Sequence, residues 1–379
     1  MKKIRLGDIA TLITKGTTPT TIGFSFVDTG VNFVKIESIS ENGEFLSDKF
    51  AHITDECDNK LKRSQLEEND ILFSIAGAIG RTAIVPRSIL PANTNQALAI
   101  IRIPRNAINL RFVLYALQSQ AVEEQSEKQK QGVAQLNLSL KNIADILIPL
   151  VSSEKQDEIV RNLAAVDAAI AIRKEQIRLI DQLVKSRFIE LFGDPETNPK
   201  GWTRQRLDQI CENLDSRRVP ITSTDRKAGN YPYYGASGIV DYVKDYIFDE
   251  DILLISEDGA NLVMRSTPIA FSVSGKVWVN NHAHVVRFES KATQKYIEIC
   301  FALTDISGSI TGTAQPKLNQ AKLNAMMFCV PPIELQEQFA TFVEQTDKSK
   351  YYSSLSFRYC QTAANTYRQE WMTCRTSDF

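Results

Sequence analysis

Two histidines two residues apart, His282 and His284 in NNHAHVV, have the clearest capacity for chemistry in this 379-residue chain. On a strand they would share one face, a spacing two metal ligands could use. No carboxylate or cysteine cluster accompanies them in the sequence, so a polar strand or loop is the simpler expectation. Glu257 and Asp258 in SEDGA could act as acid and base, yet a turn before Gly259 accounts for them. Asp194-Pro195-Glu196 has the acidity of a nuclease motif but stands where a long helix should stop, which favours a capping and linker role. The sequence contains no G-x-x-x-x-G-K-[ST] phosphate loop and no G-x-S-x-G nucleophile elbow. The glycines of SIAGAIGR at Ser74 fit a tight strand-to-strand turn and not a dinucleotide fingerprint. No catalytic residue and no metal ligand is expected.

What the chain does carry is polar loops of the kind that touch nucleic acid. Arg and Lys suit guanine, Asn and Gln suit adenine, and many such groups hold phosphates. In the first half the candidates are Lys15, Thr17 and Thr18 in TKGTTPT, Arg81 in GAIGRT, Asn93, Asn95 and Gln96 in NTNQ, and Lys128, Lys130 and Gln135 in KQKQGVAQ. In the second they are Arg217 and Arg218 in DSRRVP, Tyr233, Tyr234 and Ser237 in YPYYGASG, Lys276, Asn280 and Asn281 in GKVWVNN, and Gln315 and Lys317 in GTAQPK. Each alone is ordinary for a solvated loop; the set gains weight because it recurs at comparable places in both halves. Gln135 and Gln315 share one G-x-A-Q element, so they fit a scaffold or backbone role better than reading two different sequences.

Those loops are positioned by a duplicated unit. LGDIATL at Leu6 matches LDQICEN at Leu207, DILFSIAGA at Asp70 matches DILLISEDGA at Asp251, and NTNQALAIIR at Asn93 matches VNNHAHVVRF at Val279. GVAQLNL at Gly132 matches GTAQPKL at Gly312, and EKQDEI at Glu154 matches ELQEQF at Glu334, both at an offset of 180 residues. The first block reads as short β-rich runs (from Val31, Asp70 and Asn95) followed by a helical interlude from Phe112. Between the blocks a helical pattern runs from about Ser152 to Phe192. Ile159, Leu163, Val166, Ile170, Ile177, Ile180, Val184 and Leu191 form its coiled-coil seam, interrupted by Arg173 and Arg187, whose stems can still cover it. At ~1.5 Å per residue it reaches on the order of 60 Å, longer than a compact domain requires. Ser153 and Gln156 form an S-x-x-Q capping box, and Gly193-Asp194-Pro195 supplies the stop. Residue 333 onward supplies a partner helix through Phe339 and Val343. The expected organisation is a domain at 1–150, a spacer helix at 151–193, a second domain at 194–332 and a distal helix at 333–379.

Composition constrains the rest. A hydrophobic content of 43% supports packed cores, and the net charge of −1 hides any local basic patch. Six cysteines without a C-x-x-C pair fit neither a zinc site nor a disulfide framework and suit a reducing cytoplasm. The amino terminus carries no long apolar run, so a soluble, cytoplasmic protein is expected.

The order of these motifs resembles that of the specificity subunits of type I restriction-modification systems: G-x-A-Q before a strand ending in proline, the helix ending RFIELFGDP, and YPYYGASGIVDYV leading to DEDILLISEDGA. The resemblance covers Leu6 to about Asp347. It implies an α+β fold: two β-rich target-recognition domains in tandem, each followed by a long helix. The two helices pair as an antiparallel coiled coil with pseudo-twofold symmetry, and each domain reads half of a bipartite site in double-stranded DNA. It further implies no catalysis by this chain, two modification (methyltransferase) subunits and two restriction (ATP-dependent translocase/nuclease) subunits as partners, and S-adenosylmethionine, ATP and Mg on those partners. A protein-binding scaffold with two β-rich domains on a coiled-coil spacer is the alternative.

The match ends after Lys348. KYYSSLSFRYCQTAANTYRQEWMTCRTSDF is rich in Ser, Thr, Tyr and Cys, and the seam carried over by 180 residues is apolar only in parts. A broken distal helix is one expectation, leaving the central helix without a partner near Ile177 to Leu191; a diverged helix packing through Phe357, Tyr367 and Trp371 is the other.

Overall fold

The structure, a computed structural model, describes residues 2–104, 107–129, 137–312 and 314–373. The chain divides into two compact units: Met1–Arg173 with Ser356–Phe379, and Lys174–Leu355. Both are α+β, and both use one strand plan. In the first unit an antiparallel four-stranded sheet orders Leu12–Lys15, Leu98–Arg102, Ile71–Ser74 and Thr82–Ile84. In the second unit the corresponding order is Glu212–Asn213, Ala283–Arg287, Ile252–Ser256 and Ala270–Val273. Each unit adds a second sheet containing one parallel pair: Val31–Val34 with Ala92–Thr94, and Ala228–Gly235 with Lys276–Val279. Each is closed by a two-stranded ribbon, Lys3–Arg5 with Leu147–Pro149 and Arg204–Arg206 with Met327–Cys329. Equivalent backbone bonds fix these ribbons, Leu6 N–H to Ile146 O and Leu207 N–H to Met326 O, both 2.9 Å. The central strands Ile71–Ser74 and Ile252–Ser256 are buried at every position, as strands covered on both faces must be.

The central helix spans Ser153–Phe192. Its cap is one residue earlier than the S-x-x-Q pattern indicates: Ser152 Oγ accepts from Lys155 N–H at 3.3 Å, and Ser153 is already helical. Gln156 is buried and turns back to donate to Val151 O at 3.0 Å; Gln336 repeats this, donating to Pro331 O at 2.7 Å. That return bond is what the shared glutamine supplies. Gly193 ends the helix at φ 77°, where a side chain would be strained and a Cβ would meet Pro199 at 2.7 Å. Lys200 and Trp202 cap the last carbonyls, and Asp194 accepts the N–H groups of Glu196 and Thr197. The acidic triplet is therefore a helix stop.

The seam is buried at its two ends and half-buried between them. Ile159 and Leu163 enter the core of the first unit, while Val166, Ile170, Ile177 and Ile180 are half-buried. Beyond Val184 the buried positions become Phe188 and Phe192, whereas Arg187 and Leu191 are only half-buried. A straight helix drifts against a strict seven-residue repeat, and these two aromatics reach the second unit's core. There Phe188 stacks on Tyr296 with ring centroids 5.2 Å apart and meets Phe339 at 5.5 Å. Arg187 is half-buried on the seam, with its guanidinium carbon 6.0 Å from the centre of the Phe342 ring.

The distal helix runs unbroken from Ile333 to Thr373. The broken-helix expectation is thus overturned, and so is the missing partner near Ile177 to Leu191. Within the second unit the helices run antiparallel: Lys350 pairs with Asp181 at 2.5 Å, Arg187 lies by Phe342, and Phe188 by Phe339. In the first unit the tail packs on the start of the central helix. Tyr367 accepts from Asn162 at 2.9 Å, Arg368 pairs with Asp167 at 2.9 Å, and Trp371 is buried 5.0 Å from the Phe112 ring. Ala364 and Trp371 are buried, and Phe357, Cys360 and Tyr367 half-buried, so every fourth or third residue faces inward despite poor helix propensity. Packing outweighs propensity here. Trp371→Ala should therefore cost roughly 3–5 kcal/mol by chemical denaturation. Amide exchange should show strong protection through residues 350 to 371; fast exchange there would contradict the helix.

Candidate nucleic-acid interface

In the first unit the strand Ile71–Ser74 ends on a buried serine. Ser74 Oγ accepts Arg81 N–H at 2.8 Å and donates to Ala78 O, closing the turn that Gly77 and Gly80 make at positive φ. This is the strand-to-strand turn expected for SIAGAIGR. At the same strand end Ile75 N–H bonds Ala97 O at 2.8 Å, and Gly16 N–H bonds Asn95 O at 3.1 Å. Only glycine fits at 16, since a Cβ there would lie 1.8 Å from Thr94 O. These bonds gather Lys15, Thr17, Arg81, Asn95 and Gln96 at one end of the sheet. Lys15 and Gln96 are exposed; Thr17 and Asn95 are half-buried. Thr18 bonds the Gln96 side chain, and Asn95 Oδ1 accepts Ala97 N–H. Arg81 is tethered, donating to Ile39 O at 3.0 Å. Lys130 and Gln135 lie outside the described residues. Asn93 faces the core: it is buried and bonds Asp58 and Leu61 O.

In the second unit the matching strand end carries a charged network that the sequence reading did not anticipate. Arg218, only 13% exposed, donates to Glu257 at 2.7 Å and to Ala283 O at 2.8 Å, and stands 3.3 Å from Asp215. Lys317 reaches Glu257 at 3.1 Å. His284 is buried, with Nδ1 2.6 Å from Asp215 and Nε2 2.7 Å from Leu318 O. The Leu318 carbonyl can only accept, so Nε2 donates to it. Carboxylates do accompany the histidines, then: His284 meets Asp215 and Glu257, and the exposed His282 pairs with Asp258 at 2.9 Å. Asp215 precedes His284 by 69 residues, a contact only the sheet creates. Burial alone would push the Asp215 carboxyl up; the His284 hydrogen bond and charge, with Val285 N–H and Arg218, outweigh it and hold the group below its ordinary value. Glu257 behaves likewise, burial being outweighed by Arg218 and Lys317. Asp215, Glu257 and His284 place possible metal-ligand atoms within 4.8 Å of one another, but Arg218 and Lys317 already engage the carboxylates.

Around this network stand most of the second unit's candidate readers. Ser256 Oγ donates to Ala236 O, holding the hairpin tip at Ser237; Asn280 N–H bonds Tyr234 O at 3.0 Å; and Asn281 O accepts from Arg218. Gln315 is exposed in the loop Thr311–Lys317, where Gly312 (φ 80°) leaves room for Gln315 O. Tyr233 and Asn280 are buried and serve structure. Arg217 and Lys276 lie at the other end of the strand Lys276–Val279: Arg217 pairs with Glu250 and covers Phe248, while Lys276 sits over Tyr246.

Registers align the two strand ends residue by residue. Leu138 N–H bonds Ile75 O as Leu318 N–H bonds Glu257 O, and Ala76 bridges Asn137 as Asp258 bridges Lys317. Ser74 pairs with Leu98 as Ser256 pairs with Ala283. Glu257, Asp258, His284 and Lys317 thus stand where the first unit has Ile75, Ala76, Ala99 and Asn137. One backbone carries two chemistries.

An α+β unit is thus built twice on one strand plan, with polar loops gathered at matched strand ends. The model of the type I restriction modification DNA specificity domain matches residues 1–182 and 199–351, and the chain belongs to that family. It is 32% identical over 138 residues to a putative type I restriction enzyme specificity subunit of Haemophilus influenzae, covering 36% of this chain and 35% of that protein. It is 34% identical over 206 residues to the EcoBI specificity subunit of Escherichia coli, covering 52% of this chain and 42% of the relative. The chain therefore matches less than half the length of either of these curated relatives. A crystal structure of a type I system S subunit from M. genitalium shares the fold, with a TM-score of 0.56 at 14% identity over 99% of this chain and 96% of that one. Among the described residues no helix is long and apolar enough to cross a membrane.

Removing Arg218 would leave Asp215 to His284 and Val285 N–H and half-buried Glu257 to Lys317 alone, so Arg218→Ala should lower stability by roughly 1–3 kcal/mol by denaturant titration. Because Glu257 is held below its ordinary value, its contribution is full above about pH 4.3 and is lost as pH falls through the folded value. The stability gap between wild type and Glu257→Gln should shrink below that pH; a gap constant with pH would contradict the ionised pair.

Proposed function

We propose that this chain is the sequence-reading subunit of a type I restriction-modification complex, each unit reading one half of a bipartite site in double-stranded DNA. The observation that carries this reading is the matched pair of strand ends, identical in backbone plan and different in side chains. Two half-sites of different sequence require that combination. In the first unit Lys15, Thr17, Asn95 and Gln96 present the reading edge; in the second Ser237, Asn281, Gln315 and Lys317 do, with the Arg218 network holding their loops. The paired helices set the unread spacer. Leu179 and Leu183 on the central helix and Tyr351, Tyr352 and Leu355 on the distal helix are exposed apolar groups, a surface suited to the modification subunits. Those partners supply adenine methylation, with S-adenosylmethionine, and restriction subunits supply ATP-dependent cleavage; the chain itself performs no bond chemistry. Reading must present the target adenine for extrusion into the partner's pocket.

Binding assays on the chain assembled with its modification subunits test the division of labour. Asn95→Ala with Gln96→Ala should relax preference at one half-site, and Asn281→Ala with Lys317→Ala at the other, by about 1–3 kcal/mol for each lost base contact. Equal relaxation of both half-sites by either pair, or of neither, would contradict one unit per half.

A further inference from the structure

The first unit has a groove of about 630 Å³ in which Thr17, Lys60, Arg63 and Ser64 line one part and Ile22, Phe24 and Leu61 the rest. It lies between the loop that follows Lys15 and the short turn Lys62–Ser64, which packs against the strand Leu12–Lys15. We propose that this groove holds the DNA phosphodiester backbone beside the half-site read by the first unit; the inference rests on the DNA-reading function above.

Charge is the first argument. Lys60, Lys62 and Arg63 are exposed, and among the described residues none of them forms an ion pair. Arg5, Lys35 and Arg102 of this unit are held instead by Asp8, by Glu37, and by Asp70 with Glu67. Of the acidic groups close to them in sequence, Asp58 is engaged by Asn93 and Gln65 at 2.8 and 2.6 Å and Glu67 by Arg102, while Asp55 and Glu56 stand at the start of the preceding short helix. Three exposed cations that no ion pair holds, on one short segment, are what an anionic polymer would neutralise.

Rigidity and size are the second argument. Leu61 N–H bonds Cys57 O, Ser64 Oγ donates to Leu61 O, and Gln65 is pinned to Asp58, so the turn carrying the cations is fixed before any ligand arrives. At about 630 Å³ the open groove has room for a chain segment and not just one small ion. The third argument is adjacency. Thr17 belongs both to this groove and to the strand end that gathers Lys15, Asn95 and Gln96. Phosphate contacts flanking base contacts fix register on the duplex, and lysine is a point charge suited to the former.

The test uses the full chain assembled with its modification subunits and a duplex carrying the methylated motif. The triple variant Lys60→Ala, Lys62→Ala, Arg63→Ala should bind more weakly to specific and nonspecific duplex alike, with the preference between them kept. Its plot of log K against log salt should be shallower by about 2.7, three contacts at about 0.9 each. Between 50 and 200 mM salt the wild type would then lose roughly 40-fold more affinity than the variant. The charge-preserving set Lys60→Arg, Lys62→Arg, Arg63→Lys should retain the wild-type slope, and thermal unfolding should be unchanged in both sets. A well-folded alanine variant with the wild-type slope overturns the groove assignment and leaves the function standing. A wild-type complex that shows no sequence preference on DNA overturns both.

Discussion

A 40-residue amphipathic helix cannot remain single in water, and the cover its seam requires organises this chain. The cover is assembled from three sources. Ile159 and Leu163 sink into the first unit, Phe188 and Phe192 into the second, and the distal helix packs along it within each unit. Because the chain carries its unit twice, both helix partners arrive in one molecule, and helix pairing is encoded by the same duplication that sets out the two matched, loop-bearing strand ends.

The sheets divide conserved plan from variable chemistry. Backbone bonds and strand registers repeat between the units, down to the buried glutamines that fold back at each long helix start. Side chains at the loop-bearing strand ends do not repeat. Where the first unit has apolar and amide groups, the second has an ionic lattice built on Asp215, Arg218, Glu257, His284 and Lys317. Buried charges of this kind add little net stability compared with an apolar core, but each demands its partner, so together they specify loop placement. Placement is what a reader of base edges needs.

Much of this was legible in residue order. The duplication, the central helix, its Gly193 stop and the turn at SIAGAIGR were written in local spacing, which is where turns and helix ends are decided. Three features were not. The Asp215–His284 contact joins distant positions through strand pairing, and neither residue announces it. The distal tail looked like a poor helix because propensity was weighed without Phe112, Asn162 and Asp167, the groups it packs against. Lys60, Lys62 and Arg63 belong to no motif in the sequence, since only the fold sets the segment opposite the loop at Thr17. Asn93, Tyr233 and Asn280 failed the other way, being polar residues that the fold consumes internally.

The central claim is that two units on one chain direct adenine methylation to one bipartite sequence. Methylome sequencing of cells expressing the modification partner, with and without this chain, measures that directly. The account predicts that a single bipartite adenine-methylated motif appears only when the chain is present. An unchanged methylome, or a continuous motif without an unread spacer, would contradict it.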